Sequence, residues 1–342
     1  MKKRVTSRDV AELAGVSRTT VSFVLNDVPG MRISEDTRCK VVEAARQLDY
    51  HPNVSAQRLV TGKSRILAYV QRLTPERAFA DAFLPQVLHG VHDAASASNY
   101  EVLFAPVPLE NGGDRCVRML RGGYVDGIIL SGPRSDDEEL QQLLETEAPL
   151  VLQGHWPGVA VASVDIDNVH ATRRAVEHLV RLGHTRLGMI LHAPLADTAA
   201  AARLRGYQQV LEENGLTFEE QHLVVAKFSP ASGEEAMEAL LRADPPPSAV
   251  FVSSDTVAIG AMCAAKKRGN RIPEDIAFVG FDDIPMSIYQ DPPLTTVRLP
   301  AYGIGWAAAD LLVNLVACEE VRERSLILES ELIVRKSCGY CS

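Results

Sequence analysis

No apolar run in this 342-residue sequence approaches the roughly 18 residues that a membrane-spanning helix needs. The opening MKKRVTSRDV carries charge with no apolar stretch behind it, so no export signal is expected. The six cysteines (Cys39, Cys116, Cys263, Cys318, Cys338 and Cys341) are scattered, as suits a reducing cytoplasm. Cys338 and Cys341 form a lone C-x-x-C with no second ligand pair, and an inert tail is expected there. His155, His170, His178, His184 and His192 match no zinc spacing, so no metal and no cofactor are expected. A G-x-S-x-G elbow and a phosphate-cradling P-loop are both missing, which removes the commonest hydrolase and nucleotide-using classes. Low-complexity stretches and clear short repeats are absent too.

What is present is unevenly charged. The formal net charge of −9 argues against a general nucleic-acid coat. Residues 1–63 nevertheless hold 11 Lys/Arg against 7 Asp/Glu, leaving 24 against 37 for the remainder. A small basic head on an acidic body fits a protein that meets phosphates at one end only. The length implies two or three structural units.

The most informative segment is TSRDVAELAGVSRTTVSFVLN (6–26). Val10, Leu13 and Ala14 sit at helical spacing and end at Gly15, which suits a sharp turn. Ser17 can cap a second helix whose apolar face carries Val21, Val24 and Leu25. Two short amphipathic helices around such a turn are the helix-turn-helix signature. Arg18, Thr19, Ser22 and Phe23 fall on the outward face, where they could meet base edges or phosphates in a major groove. The plainer alternative is an ordinary helical hairpin with a solvated polar face.

A third helix is expected from Ser34 to Leu48, capped by Ser34 and with Glu35 and Asp36 at its positive end. Pro52 then breaks the pattern. The segment NVSAQRLVTG (53–62) could form about two turns of helix, too short to be stable in water without a partner.

From Ile66 onward short apolar strands alternate with amphipathic helices. The strands read are 66–70, 101–105, 127–130, 150–152, 186–191, 249–252 and 276–280, with a last one at 331–335. Such alternation predicts parallel sheets covered on both faces, and there are too many strands for one comfortable sheet.

Taken in order, DVAELAGVSRTTVSFVLN (9–26), YHPN (50–53), AQRL (56–59), EHLVRLGHTRLGMI (177–190), RLRGY (203–207), SSDTVAIGAM (253–262), IPEDIAFVGFDD (272–283), PPLTTVR (292–298) and ELIVRKS (331–337) make the chain resemble the LacI/GalR family of transcriptional regulators. The resemblance covers essentially the whole sequence. It implies an all-α helix-turn-helix headpiece (1–50), a hinge helix and linker (51–63), and an α/β core (64–342). That core would be periplasmic-binding-protein-like, with two doubly wound parallel-sheet subdomains. The implied N-subdomain spans about 64–163 and 292–325, and the C-subdomain about 164–291 and 326–342. Chain crossings would then fall near 163–167, 290–294 and 323–328.

The resemblance also implies roles for residues. Arg18, Thr19 and Phe23 correspond to base readers, while Thr6, Ser7, Ser17, Thr20, Ser22, Asn26 and Thr37 would approach phosphates. Phe23 stands where the family's lactose repressor carries arginine, so that half-site position should prefer thymine or be loosely read. The stretch 27–34 is about two residues longer than in that repressor, which leaves Arg32 without an assigned contact. In the hinge, Asn53, Ala56 and Leu59 would face DNA, with Leu59 wedging into the minor groove opposite its copy from a second subunit.

For an effector cleft the resemblance implies Phe83, Leu84, Gln153, Arg203, Phe228, Ser254 and Asp282. A guanidinium donates fixed hydrogen bonds and a carboxylate accepts them, which together suit sugar hydroxyls. Gln153 and Ser254 depart from the Asp and Asn often found at those positions. Phe83, Phe228 and Trp156 could equally be core packing, and Arg203 with Asp282 could be a structural salt bridge.

These expectations describe a cytoplasmic, nucleoid-associated homodimeric repressor of carbohydrate genes, with no enzymatic activity and no membrane partner. It would read a near-palindromic double-stranded operator under control of a small effector, a sugar or sugar derivative. The rival is a solute-binding protein of a sugar transport system, which would share the core but need an export signal and have no use for residues 1–62.

Overall fold

The computed structural model describes residues 5–25, 31–50, 62–109, 114–319, 321 and 323–339. The chain forms two compact units, residues 1–64 and 65–342.

In the first unit, α1 (Ser7–Ala14), α2 (Arg18–Leu25) and α3 (Glu35–Gln47) enclose a small core. It is built from Val10, Ala11, Val21, Val24, Val41, Ala44 and Ala45. The Asp9 carboxylate accepts from both the backbone N–H and the hydroxyl of Thr6, at 2.7 and 2.6 Å, which closes the start of α1. The turn after α1 needs a left-handed residue, and Gly15 supplies it at φ 67°. Ser17 then accepts from the N–H of Thr20 at 3.0 Å, so α2 is capped by the residue expected to cap it. Ser34 does the same for α3 through the N–H of Thr37 at 3.3 Å. The expected hinge helix lies, apart from Gly62, outside the described residues.

The second unit holds two six-stranded sheets. Along the first lie β1 (Ile66–Gln71), β2 (Glu101–Pro106), β3 (Gly127–Ser131), β4 (Leu150–Gln153), β5 (Ala162–Ile166) and β11 (Ser325–Leu328). Their order is β11-β5-β4-β3-β1-β2, and every pair is parallel. Along the second lie β6 (Leu187–Leu191), β7 (Leu223–Val225), β8 (Ala249–Val252), β9 (Ala277–Asp282), β10 (Thr295–Arg298) and β12 (Glu331–Ile333). Their order is β12-β10-β9-β8-β6-β7, and only β12 runs antiparallel to its neighbour. The connecting helices are α4 (Pro75–Ala80), α5 (Leu84–Ala97), α6 (Arg115–Arg121), α7 (Glu138–Leu144), α8 (Asn168–Arg181), α9 (Thr198–Glu213), α10 (Pro230–Leu240), α11 (Asp255–Lys267) and α12 (Ala301–Val316). The central strands are buried on both faces, which is why they read as unbroken apolar runs.

Two of the crossings between sheets fall later than expected. The chain leaves the first sheet after Ile166, returns after Arg298 and leaves again after Leu328. Residues 292–298 therefore go with the second sheet and 326–328 with the first, correcting the boundaries at 292 and 325. The cause is that TTVR and SLIL are strands of only four residues, too short for periodicity to distinguish from linker.

Helix α12 was also unanticipated. Its backbone meets α5 so closely that a Cβ on Gly305 would stand 2.0 Å from the Val87 carbonyl oxygen, and one on Gly90 2.1 Å from that of Tyr302. The glycines that dilute its helical signal are what let it pack there.

Candidate functional site

Two places carry the residues singled out in the sequence. On the headpiece, Arg18 and Thr19 are exposed at the start of α2, while Ser22 and Phe23 are half-buried one turn on. Phe23 thus keeps part of its ring available while the rest leans on its own unit. Several phosphate-facing candidates are already held locally. The hydroxyls of Ser17 and Thr20 lie 2.9 Å apart, that of Thr37 lies 2.8 Å from Ser34, and that of Thr6 is engaged by Asp9. These bonds fix the first turns of three helices, whose N–H groups are themselves natural phosphate partners. Ser7 is half-buried in the first turn of α1. Asn26, Asn53, Ala56 and Leu59 lie outside the described residues.

In the second unit, a cavity of about 180 Å³ opens between the carboxyl ends of the two sheets. That is roughly ten times what a single water requires, and it is where open α/β sheets place their ligands. One wall is a register row: Gln71 pairs opposite Ser131, Ser131 opposite Gln153, and Gln153 opposite Val164. All four residues line the cavity. The Gln153 carbonyl oxygen accepts the Tyr69 hydroxyl at 2.6 Å, which orients its amide.

The opposite wall is built on α9 and the end of β9. Arg203 is buried, its Cζ 3.8 Å from the centre of the Phe281 ring. Nε donates to Asn168 Oδ1 at 2.9 Å and Nη1 to the Ser253 carbonyl at 2.6 Å. The Nη2 donors have no protein partner among the described residues. Asp282 is also buried, and it adopts a backbone φ of 119°, rare for a residue with a side chain. Its neighbour Asp283, at φ 55°, is gripped by Arg298 at 2.8 Å and Arg335 at 2.6 Å. Those two ion pairs hold the unusual turn that presents Asp282. Phe228, φ 49°, completes this side by packing edge-on against His192, with ring centres 5.7 Å apart.

Burial dominates the protonation chemistry. It raises Asp282 well above the ordinary carboxylate range, against the opposing pull of the Arg203 charge. It lifts Asp165 to about 6, although the Ile166 N–H and Arg203 favour the ionised form. It pushes His192 down, against the hydrogen bond to Asp197. Burial also acts upward on Asp197, but hydrogen bonding and charge from His192 outweigh it and leave the carboxyl below its usual value.

Phe83, Gln153, Arg203, Phe228 and Asp282 are thus brought to one cavity. Two expected members are not. Leu84 turns into the apolar core, because it opens α5 with its side chain on the sheet-facing stripe. Ser254 sits behind the wall as the residue before α11, fully buried beside Asp282 without completing a well-formed hydrogen bond. Trp156 lines a neighbouring cavity that shares Asp165, Ile166 and Thr198 with the first. Sequence reading missed Gln71, Arg72, Asp165 and His192, which all line the main cavity. Each lies at or just past the carboxyl end of a strand, and that rule applied throughout would have found them. Among the described residues no group of three or more His, Cys, Asp or Glu could hold a metal, and no helix is long and apolar enough to cross a membrane.

Comparison with known proteins bears on both places. Residues 6–53 match the family described as bacterial regulatory proteins of the lacI family, and residues 176–338 match the periplasmic binding protein-like domain. The HTH-type transcriptional regulator CelR of Thermobifida fusca is 35% identical over 98% of this chain and 99% of its own length. The HTH-type transcriptional repressor CytR of Escherichia coli K12 is 32% identical over 97% of this chain and 96% of its own. Among solved structures, the lac repressor dimer bound to operator and an anti-inducer superposes with a TM-score of 0.85 at 30% identity, covering 98% of this chain and 99% of that one. A headpiece with a capped helix-turn-helix, a two-sheet core and relatives aligned end to end lead to one conclusion: this chain belongs to the LacI family of DNA-binding transcriptional regulators.

Proposed function

We propose that this regulator is a homodimeric repressor whose DNA binding is controlled by a sugar held in the cavity between the two sheets. The carrying observation is that Arg203 and Asp282 present a guanidinium and a carboxyl to one enclosed space, with Gln71 and Gln153 on the facing wall. A fixed donor opposite several acceptors suits a ligand whose hydroxyls both give and take hydrogen bonds. Aromatic rings at Phe83 and Phe228 supply flat apolar contact for the ring face of a sugar. The CelR relative has been solved as a complex with cellobiose, at 33% identity and a TM-score of 0.75 over 98% of this chain.

On the DNA side, Arg18, Thr19 and Phe23 read base edges of each half-site, and the Ser and Thr residues around them fix register on phosphates. A two-fold dimer then demands a near-palindromic operator. Leu59 of each subunit would enter the minor groove at its centre. Effector binding changes the angle between lobes and thereby the pairing of a marginal hinge helix, so a modest differential affinity suffices to switch it. Such a protein works in the cytoplasm, at the nucleoid, as a regulator and not as an enzyme.

The test is a thermal-shift screen of sugars and nucleosides on the full chain, followed by mobility shifts on operator DNA with and without each hit. A sugar that stabilises the protein and alters operator affinity, with both effects lost in Asp282→Asn, is the expected result. Unchanged sugar binding in both Arg203→Ala and Asp282→Ala would overturn the site, and unimpaired DNA affinity after deletion of residues 1–62 would overturn the headpiece assignment.

A further inference from the structure

The cavity is asymmetric in its hydrogen-bonding capacity. Asp81, Asp165, Asp197 and Asp282 all line it. Three arginines line it as well, but two are already answered by carboxylates. Arg72 makes two bonds to Asp137, at 2.5 and 3.1 Å, and one to Glu139 at 3.0 Å, and all three side chains are buried. Arg134 is held by Asp136 at 2.9 and 2.6 Å. Only Arg203 keeps cationic donors without a protein carboxylate in ion-pair contact. The wall therefore offers many acceptors and one uncommitted cation.

A second observation points the same way. Gln71 Nε2 donates to Asp81 Oδ2 at 3.1 Å, which fixes the amide so that Oε1 faces away from that carboxylate. Gln71 is only 7% exposed, and its Oε1 is a buried acceptor with no hydrogen-bond partner. A buried acceptor left unpaired costs free energy that an incoming donor would restore. Asp81 supplies no donor for it, since its two oxygens accept the Gln71 amide and the Phe83 N–H at 2.9 Å.

We infer that the cavity selects an uncharged, hydroxyl-rich ligand over its phosphorylated or uronic-acid counterpart, with Gln71 as a specificity-determining residue that accepts from one of its hydroxyls. The inference rests on the sugar reading above and narrows it. Every hydroxyl can donate to a carboxylate or to Gln71 Oε1. A phosphate or carboxylate brings acceptors only, and it brings them among four aspartate side chains that are acceptors themselves and, when ionised, repel a further anion.

The experiment uses the full chain and matched probes measured by calorimetry and thermal shift. Glucose, galactose, xylose and cellobiose form one set; glucose 6-phosphate, galactose 6-phosphate, glucuronate and galacturonate form the other. The expected result is that the best neutral sugar binds at least tenfold more tightly than any member of the anionic set. An anionic sugar that binds as tightly as its neutral partner overturns this inference and leaves the sugar reading standing. Absence of binding in both sets overturns the two together. Gln71→Met, checked for folding by its melting curve and operator binding, should weaken the best neutral sugar about tenfold. Gln71→Lys should move the neutral-to-anionic affinity ratio at least tenfold toward the anion. An unmoved ratio in a folded Gln71→Lys protein would remove Gln71 from the specificity assignment.

Discussion

Arg203 and Asp282 line the same cavity, yet no ion pair joins them. The arginine is held instead by Asn168, the Ser253 carbonyl and the Phe281 ring, and the aspartate by its own strained turn. A structural salt bridge would have consumed both groups. Because each is positioned by other parts of the lobe, both remain available to a ligand. Arg203→Lys keeps the charge but loses the planar fork and the stacking on Phe281. It should weaken effector binding by tenfold or more while operator affinity in the absence of effector stays within about twofold. Calorimetry beside mobility shifts separates the two readouts.

The pH dependence follows from Asp165. Burial raises its carboxyl to about 6 in the folded chain, above the unfolded value near 3.8. A carboxyl whose folded pKa is raised costs stability as pH climbs from the unfolded value through the folded one. Asp165→Asn keeps an oxygen for the Ile166 N–H and the Asn168 amide, which both now bond Oδ1. It should raise the stability of the effector-free protein at pH 8 by on the order of 1 kcal/mol and flatten its profile between about pH 4 and 7. Denaturant titrations across that range check it. A variant with the same slope as the parent protein would place the titration elsewhere.

Effector affinity should run the other way. Ligand hydroxyls donating to Asp165 and Asp282 favour their ionised forms, so binding lowers both pKa values and releases protons. Affinity is then expected to rise with pH from about 5 to 7. Titrations in buffers of different ionisation enthalpy would reveal the released protons, and net proton uptake would contradict the hydroxyl-to-carboxylate geometry.

Gly305 is a site where one methyl group is not tolerated. A Cβ there lies 2.0 Å from the Val87 carbonyl oxygen, a backbone atom that cannot swing aside. Gly305→Ala should cost about 1–3 kcal/mol or more by forcing α12 away from α5. Gly303→Ala, whose Cβ would meet nothing nearer than 3.7 Å, should be close to neutral or mildly stabilising. Melting temperatures of the two variants give the comparison.

On DNA, Arg18→Ala is expected to cost about 1–3 kcal/mol in operator affinity and to relax specificity at one half-site position. Phe23→Ala should reduce discrimination for thymine at another, with a smaller loss of total affinity. Competition among operators substituted one base pair at a time would show both. An equal loss across all sequences would instead assign these residues to phosphates.

The parts of the fold most legible in the sequence were those with a strong local signal. Ser17 and Ser34 cap their helices as read, Gly15 takes the left-handed turn, and β1, β2, β3, β4, β6, β8 and β9 stand close to where the apolar runs lie. What escaped was determined by tertiary context. Strands β5, β7, β10 and β11 have three to five residues each, and β11 pairs with β5 far earlier in the sequence, so local periodicity does not mark them. Helix α12 carries Gly303 and Gly305, which weaken a propensity reading, while Gly305 serves close packing against α5. In the site, Arg203 and Asp282 came from the resemblance to the family, whereas Gln71 joined through a strand register that no single segment reveals. Leu84 was placed in the cleft by the resemblance alone, whereas its position at the start of α5 turns it into the core.

The three crossings between sheets also constrain how the protein can be made. The first sheet needs β11 at Ser325–Leu328 and the second needs β12 at Glu331–Ile333. Neither lobe can therefore be completed on the ribosome before residues 325–333 emerge, and neither can be excised as one continuous piece. A nascent chain exposes an unfinished edge on each sheet until residues 325–333 have emerged.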